Sequence, residues 1–566
     1  MPAPPPSPLP PNRKSLTLLL SSLPFFITFT HIFLSPYTKV EESFTLHAVH
    51  DVLAYGFGKD GLKNWDHITF PGAVPRSFLP PILLGLITYP FSALFVALGV
   101  IKTKIGVQIL IRLILASFFS LSFNHLAASL QIVYGTPSRI WFTLLSLGSF
   151  HIPYYAGRTL PNFTALPGVL WSISQVIRSE SSHTAKEGQT QLRNAIITLT
   201  ALATIVRLEL ALFVLPVALS LVVLQRATIG QVFQWGLIGG FGSLAVTSPI
   251  DYTLWLPALS HPDFPFNSPS QLLWPELSSL IYNALEGHSE EWGIMPFHYY
   301  FTNSIPKLLV GNSALVGLAG GLWAFARVGG QKLVRQVGCW DQSLAGRDVG
   351  RILTVWGLSI SSVLVGLSAL GHKEWRFILP ILPILHIISA LSASNLWSLP
   401  PPSSYLRPLA RLAVLGLLAV NLLATGVMTF LSVNNYPGGD VWQALETAGV
   451  AEGEKIWFPS YPLQTGATLF TFTHDHAAGQ GLGFWPALPA AEEPRWVYDK
   501  SEGVDLSSLQ WKDGVDFVVT GDWAGLTEDG WEMVAEVGGL EGVGKAPGQY
   551  KVEARWGRKL VILKRY

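Results

Sequence analysis

The sequence is short of charge and of cysteine. Only 13% of its 566 residues are Asp, Glu, Lys or Arg, about half the ~25% usual in soluble chains. Its one cysteine, Cys339, excludes an intramolecular disulfide in any compartment. Asp-x-Asp is absent, so the motif with which soluble nucleotide-sugar transferases hold a metal is missing. There is also no P-loop, no Gly-x-Gly-x-x-Gly after a strand pattern and no Cys/His zinc spacing. No basic patch stands clear of the apolar runs, which argues against a nucleic-acid partner. Nor is there a visible internal repeat of the kind that marks inverted-repeat transporters.

What is present is apolar. Hydrophobic residues make up 49% of the chain and the mean hydropathy is +0.38, so a large membrane domain dominates; disordered, collagen-like and small disulfide-stapled classes are excluded. The net charge of +1 hides two halves. Residues 433–566 carry 11 Lys/Arg against 19 Asp/Glu, a balance of −8, and the first 432 carry 26 against 17, a balance of +9. The basic part reads as a polytopic domain with basic cytosolic loops; the acidic part reads as a separate aqueous domain.

Seven prolines in the first eleven residues predict a disordered cytosolic tail over 1–14. The uncharged run 15–34 then reads as a retained first span rather than a cleaved signal. Further apolar runs lie at 77–101, 113–140, 159–177, 194–224, 227–250, 308–326, 352–372, 377–406 and 412–439. Several are long enough to tilt or break, giving about eleven to thirteen spans. Stretches near Lys102 and Lys104, at 178–193 and at 327–351 are basic and read as cytosolic. The long aromatic stretches 35–76 and 251–307 read as lumenal. Short apolar stretches such as 515–520 and 559–563, set between turn residues, predict strands in a small α/β domain over 433–566, on the lumenal side.

Directly after the first span stand two adjacent carboxylates, Glu41 and Glu42. A carboxylate held at the membrane rim would have a raised pKa and could serve as a general base; as ordinary loop charges the two would be solvated or cap the next helix. Asp66, His67 and Arg76 in the same loop could bind sugar or phosphate, or be ordinary loop residues. Charges sitting inside apolar runs are costly and are functional candidates by default: Arg158, Arg207 with Glu209, and the dense group His372, Lys373, Glu374 and Arg376 between two spans. Such cations suit a phosphate-bearing lipid, although boundary cations also snorkel. His474-Asp475-His476 could imitate a metal site, and Asn162-Phe163-Thr164 is a formal sequon expected to stay unused inside an apolar run.

Thr38-Lys39-Val40-Glu41-Glu42-Ser43-Phe44, His50-Asp51, Asp66-His67, Phe70-Pro71-Gly72, Val74-Pro75-Arg76, Arg158-Thr159-Leu160-Pro161-Asn162, His372-Lys373-Glu374-Trp375-Arg376-Phe377 and Asn435-Tyr436-Pro437-Gly438-Gly439 occur in this order. Together they resemble the multispanning endoplasmic-reticulum mannosyltransferases that use dolichyl-phosphate-mannose, glycosyltransferase family 22. The Lys-Val-Glu-Glu-Ser-Phe loop is most similar to the α-1,6 branch, which adds the eighth mannose to the lipid-linked oligosaccharide of N-glycosylation. The resemblance covers roughly residues 30–440. It implies an all-α polytopic GT-C bundle and an inverting transfer. It further implies a base at Glu41 or Glu42, and a leaving phosphate held by His372, Lys373 and Arg376, with Arg158 and Arg207 as secondary candidates. The implied partners are the lipid donor, a dolichyl-diphosphate-linked acceptor and membrane lipid; no cofactor or metal is implied. Alternatives are a sibling α-1,2 or GPI-anchor mannosyltransferase and, more remotely, a transporter or lipid flippase.

Overall fold

The structure is a computed structural model that describes residues 11–72, 74–262, 264–325, 344–399, 403–472, 474, 496–501, 514–523, 530–545 and 552–566. Most of the basic stretch 327–351, as well as Asp475 and His476, lies outside the described residues.

The first helix, Pro11–Leu34, begins four residues earlier than the apolar run. Pro11 opens it without loss, because the first turn of a helix has no intrahelical acceptor for its N–H groups. Residues 11–14, expected to belong to the tail, are therefore helical.

Among the described residues seven helices are long and apolar enough to cross a membrane: Lys14–Leu34, Leu79–Ala97, Lys104–Tyr134, Ile229–Ser260, Asp348–Ser368, Trp375–Trp397 and Ser404–Ala448. The protein is a multi-pass membrane protein. The number seven covers single helices of sufficient length only; further apolar runs divide into shorter helices. Gly135, at φ 90°, separates Lys104–Tyr134 from Thr136–Leu147, a backbone conformation that glycine adopts without a Cβ clash. The run 194–224 breaks at Arg207, whose extended backbone lies between Ala185–Ile205 and Ala211–Val223. A break of this kind is tolerated at membrane depth where it faces protein or a wet cavity, and it puts Arg207 and Glu209 at a helix junction.

The helix Leu382–Trp397 is buried along almost its whole length and packs against Thr136–Leu147, Asn312–Phe325 and Leu344–Ser368. Apolar surface alone does not fix register between helices in lipid, so polar groups inside the bundle carry weight. Asn312 Nδ2 donates to Leu145 O and Ser149 Oγ, Asn421 Nδ2 donates to Asn312 Oδ1 at 2.8 Å, and Gly311 N–H donates to Asn421 Oδ1 at 2.7 Å.

Beyond the helix Pro437–Ala448 the described residues form a five-stranded sheet, in which the strands, numbered in chain order, lie in the order second, first, third, fifth, fourth. The strands are β1 Lys455–Trp457, β2 Val497–Asp499, β3 Phe517–Thr520, β4 Trp531–Lys545 and β5 Val552–Arg565. The two expected apolar stretches correspond to β3 and to the C-terminal half of β5. β1 runs parallel to β2 and β3, while β5 pairs antiparallel with β3 and β4. Because side chains alternate along a strand, β3 buries both faces. Phe517 and Val519 join Trp442, Phe458 and Ile562 on one face; Val518 joins Trp457, Trp531 and Leu563 on the other.

Candidate active site

The first loop enters a 3₁₀ turn at Val40–Glu42 and leaves it as the helix Ser43–Ala54. A 3₁₀ turn has about three residues per turn, so consecutive side chains diverge, and the carboxylate pair separates.

Glu42 is wholly buried. Its Oε1 accepts from Arg158 Nη1 at 2.7 Å and from Lys39 N–H at 3.0 Å, and its Oε2 accepts from Thr159 N–H at 3.3 Å. Arg158, equally buried, also donates to Ser35 Oγ at 3.0 Å, Tyr154 Oη at 2.7 Å and Tyr37 O at 3.2 Å. Burial would pull the guanidinium's pKa down, but Tyr436, Tyr154 and Glu42 together hold it well above its ordinary value. Arg112 secures the same turn from the other side, donating to Ser35 O at 2.7 Å and Pro36 O at 2.8 Å. Arg112 from the helix Lys104–Tyr134 and Arg158 from the bend between His151–Tyr155 and Pro161–Arg178 thus grip the backbone of 35–37.

Glu41 faces outward, its side chain 41% exposed, and meets Arg376 Nη1 at 3.3 Å. Arg376 also pairs with Glu374 through Nε at 2.5 Å and Nη2 at 2.7 Å. Glu374 Oε1 in turn lies 3.1 Å from His372 Nε2, and His372 Nδ1 lies 3.3 Å from Gly293 O. Trp375 anchors the segment by packing its ring against His151 and Tyr155 at centroid distances of 5.0 and 4.9 Å. The structure therefore brings Glu41, His372, Glu374 and Arg376 into one half-open cluster.

The remaining candidates are placed differently. Lys373 is buried and turns to backbone carbonyls, donating to Met295 O at 2.9 Å and to Leu370 O. Met295 N–H donates to Gly371 O at 3.0 Å, so Lys373 stitches the second long loop to the 370–373 turn. Arg207 binds Glu209 at 2.6 Å and lies 5.3 Å from the Phe377 ring centroid, one residue beyond Arg376. Glu209 also accepts from Asn162 Nδ2 at 3.2 Å, so the sequon asparagine is engaged inside the protein.

Asp66 is held by His47 Nδ1 at 3.0 Å and Lys500 Nζ at 2.7 Å. Burial pushes the Asp66 carboxyl up, but Lys500 and His47 outweigh it and hold the group well below the usual carboxylate range. His67 is enclosed by Trp65, Phe78 and Trp255 and bonded to Leu254 O at 2.9 Å; burial lowers its pKa to about 4. Both residues tie elements together, and neither is bonded to the Glu41 cluster.

Several residues that matter here gave no signal of their own in the sequence: Arg112, Tyr154 and Lys500; Tyr436 stood in the Asn-Tyr-Pro-Gly-Gly motif without a role. Among the described residues no three His, Cys, Asp or Glu side chains are grouped as a metal would require. His474 stacks on Trp496 at 3.7 Å.

The helical membrane bundle, with the small sheet domain tied to its first long loop through Lys500 and Asp66, is a GT-C-type fold. The crystal structure of ArnT from Cupriavidus metallidurans bound to undecaprenyl phosphate has this fold, with a TM-score of 0.55 at 12% identity over 97% of this chain and 98% of that one. Residues 21–439 match the Alg9-like mannosyltransferase family, and the chain belongs to it. Among its curated relatives is the Dol-P-Man:Man(7)GlcNAc(2)-PP-Dol alpha-1,6-mannosyltransferase of Drosophila melanogaster, 30% identical over 417 residues, 73% of this chain and 53% of the relative. The protein of the same name from Saccharomyces cerevisiae is 26% identical over 554 residues, 92% of this chain and 86% of the relative. The chain thus spans about half the length of the fly relative and most of the yeast one.

Proposed function

We propose that the protein transfers mannose from dolichyl-phosphate-mannose to the seven-mannose dolichyl-diphosphate-linked oligosaccharide, forming an α-1,6 linkage with inversion, in the endoplasmic-reticulum membrane with its site facing the lumen. The carrying observation is the division of the carboxylate pair, with Glu42 sealed against Arg158 and Glu41 left open beside Arg376. A base must reach substrate, and Glu41 alone of the two is exposed enough to do so. The names and identities of the relatives support the donor, acceptor and linkage.

In this reading the acceptor hydroxyl attacks C1 of the mannose from the face opposite the phosphate. The C1–O bond to phosphate breaks, its electron pair leaves on dolichyl phosphate, and the hydroxyl proton passes to Glu41. The leaving group is already an acidic phosphate ester, so it departs without protonation. Arg376, with His372 beside it, is placed to hold its charge, while Lys373 and Arg158 shape the two loops. Arg376 contacts Glu41 and Glu374 together, so a donor phosphate that takes the place of Glu41 at Arg376 frees the base as it arrives.

The test is transfer by purified protein from synthetic donor to the seven-mannose acceptor, with chelator present and the product linkage determined. A new α-1,6-mannose is expected. Transfer to a different glycan of the pathway instead would move the protein to a sibling activity, and no transfer to any acceptor would overturn the enzyme reading.

A further inference from the structure

The segment that opens the C-terminal unit is in direct contact with the turn carrying the two glutamates. Lys39 Nζ donates to Asn435 O at 3.1 Å and lies 4.6 Å from the centroid of the Tyr436 ring. Tyr436 Oη lies 3.0 Å from Tyr154 Oη, the same hydroxyl that accepts from the Arg158 guanidinium holding Glu42. Tyr37 Oη donates to Asp440 Oδ1 at 2.9 Å. Between these bonds the backbone of Gly439 lies flat on the Tyr37 ring, where a Cβ would fall 2.5 Å from the ring carbons. Gly438 is as tightly enclosed: a Cβ there would fall 2.1 Å from Pro462 O. This explains the Pro-Gly-Gly run physically: a side chain at Gly439 would push the C-terminal unit off Tyr37 of the first loop, and one at Gly438 would collide with the Pro462 turn inside that unit.

None of these contacts touches the reacting atoms in the chemistry above. They bear on residues 37–39, immediately before the 3₁₀ turn, and on the Arg158 lock behind it. We propose that Tyr436 and Gly439 are positioning residues for Glu41, so that the C-terminal unit is a buttress of the catalytic loop. The inference rests on the reading of Glu41 as the base. Its physical basis is the sensitivity of transfer to misplacement: a shift of about 1 Å in a reacting group can cost on the order of 10²-fold in rate without any change in what the site binds.

The experiment is a double-mutant cycle in the full chain. Gly439→Ala and Tyr436→Phe are each made alone and in a Glu41→Gln background, and kcat, both KM values and the melting midpoint are measured. Gly439→Ala should lower kcat by about tenfold or more, with both KM values within about twofold of the parent. Tyr436→Phe, which removes only a hydroxyl, should lower kcat by a smaller factor. In the Glu41→Gln background neither should reduce the residual rate further, because what they position is already gone. An equal fold-loss in both backgrounds, or unchanged kcat in a folded variant, overturns the proposal. If Gly439→Ala does not fold, Tyr436→Phe decides by the same criterion. Full activity of Glu41→Gln by itself sinks the base assignment and the buttress of it together, whereas multiplicative losses on an inactive Glu41→Gln parent sink the buttress alone.

Discussion

Glu41 and Glu42 are neighbours in the chain and live in opposite surroundings. Around Glu42 both carboxylate oxygens are taken by donors, the partner guanidinium is buried, and the cluster spans the first loop and the 154–159 segment. Around Glu41 the carboxylate has one long contact, to an arginine that already has a closer acidic partner. The first cluster is wholly buried; the second is part-exposed, with the Glu41 side chain 41% and the Glu374 side chain 25% open. A buried pair of this kind adds little net stability over an apolar isostere, yet breaking it leaves an uncompensated charge. Its value lies in geometry: it fixes where the next residue points. One 3₁₀ turn thus separates a structural carboxylate from a chemical one.

That contrast can be broken most severely at Glu41. Glu41→Gln keeps shape and removes basicity, so kcat should fall by about 10²–10⁴-fold while the melting midpoint in detergent stays at the parental value. Glu42→Ala should do the reverse, stranding buried Arg158 and destabilising the fold by about 3–5 kcal/mol, visible as a lowered melting midpoint and yield. An inactive but fully stable Glu42→Gln beside an active Glu41→Gln would exchange the two roles. A smaller effect is expected at Arg376. Arg376→Lys keeps the charge but loses the fork that lets one group serve both Glu374 and a phosphate, and the donor KM should rise by about tenfold, or about 1.4 kcal/mol, in a donor titration.

Much of this site is legible in the sequence. The apolar runs mark the bundle, the run ending at residue 34 puts Glu41 and Glu42 at its exit, and the density of charge at 372–376 marks the second half of the cluster. What is hidden is direction and distant partnership. Periodicity does not reveal that a three-residue turn sends Glu41 out and Glu42 in. Lys373 and Arg376 look equivalent by composition, yet the anchoring of Trp375 among aromatics accompanies an exposed-side Arg376 and a Lys373 spent on carbonyls. Asp66 and His67 suggest a ligand site because their partners, Lys500 and Leu254, lie 434 and 187 residues away. No local pattern announces such pairs. How the runs divide is hidden for a related reason: they are apolar throughout, but Gly135 and the Arg207–Glu209 pair cut two of them into shorter helices.

The Asp66 pairing supplies the gentlest test of how the two ends of the chain are joined. Lys500, from the sheet domain, and His47, from the first loop, keep the Asp66 carboxyl ionised although it is buried. A carboxyl depressed in the folded state contributes stability that is present above its unfolded pKa of about 3.9 and is lost as pH falls toward the folded value. Lys500→Met removes the strongest opponent of burial, so the Asp66 pKa must rise. At pH 7 the variant then holds a buried charge with one partner fewer, at a cost of about 1–3 kcal/mol. As the pH is lowered Asp66 takes up a proton and no longer needs the ammonium. The gap in melting midpoint between parent and Lys500→Met should therefore be widest near neutral pH and narrow on acidification. A gap that stays constant with pH would mean that Lys500 acts through packing over Phe70, whose ring centroid lies 5.1 Å from its ammonium, and that the charge pair does not hold the domain to the loop.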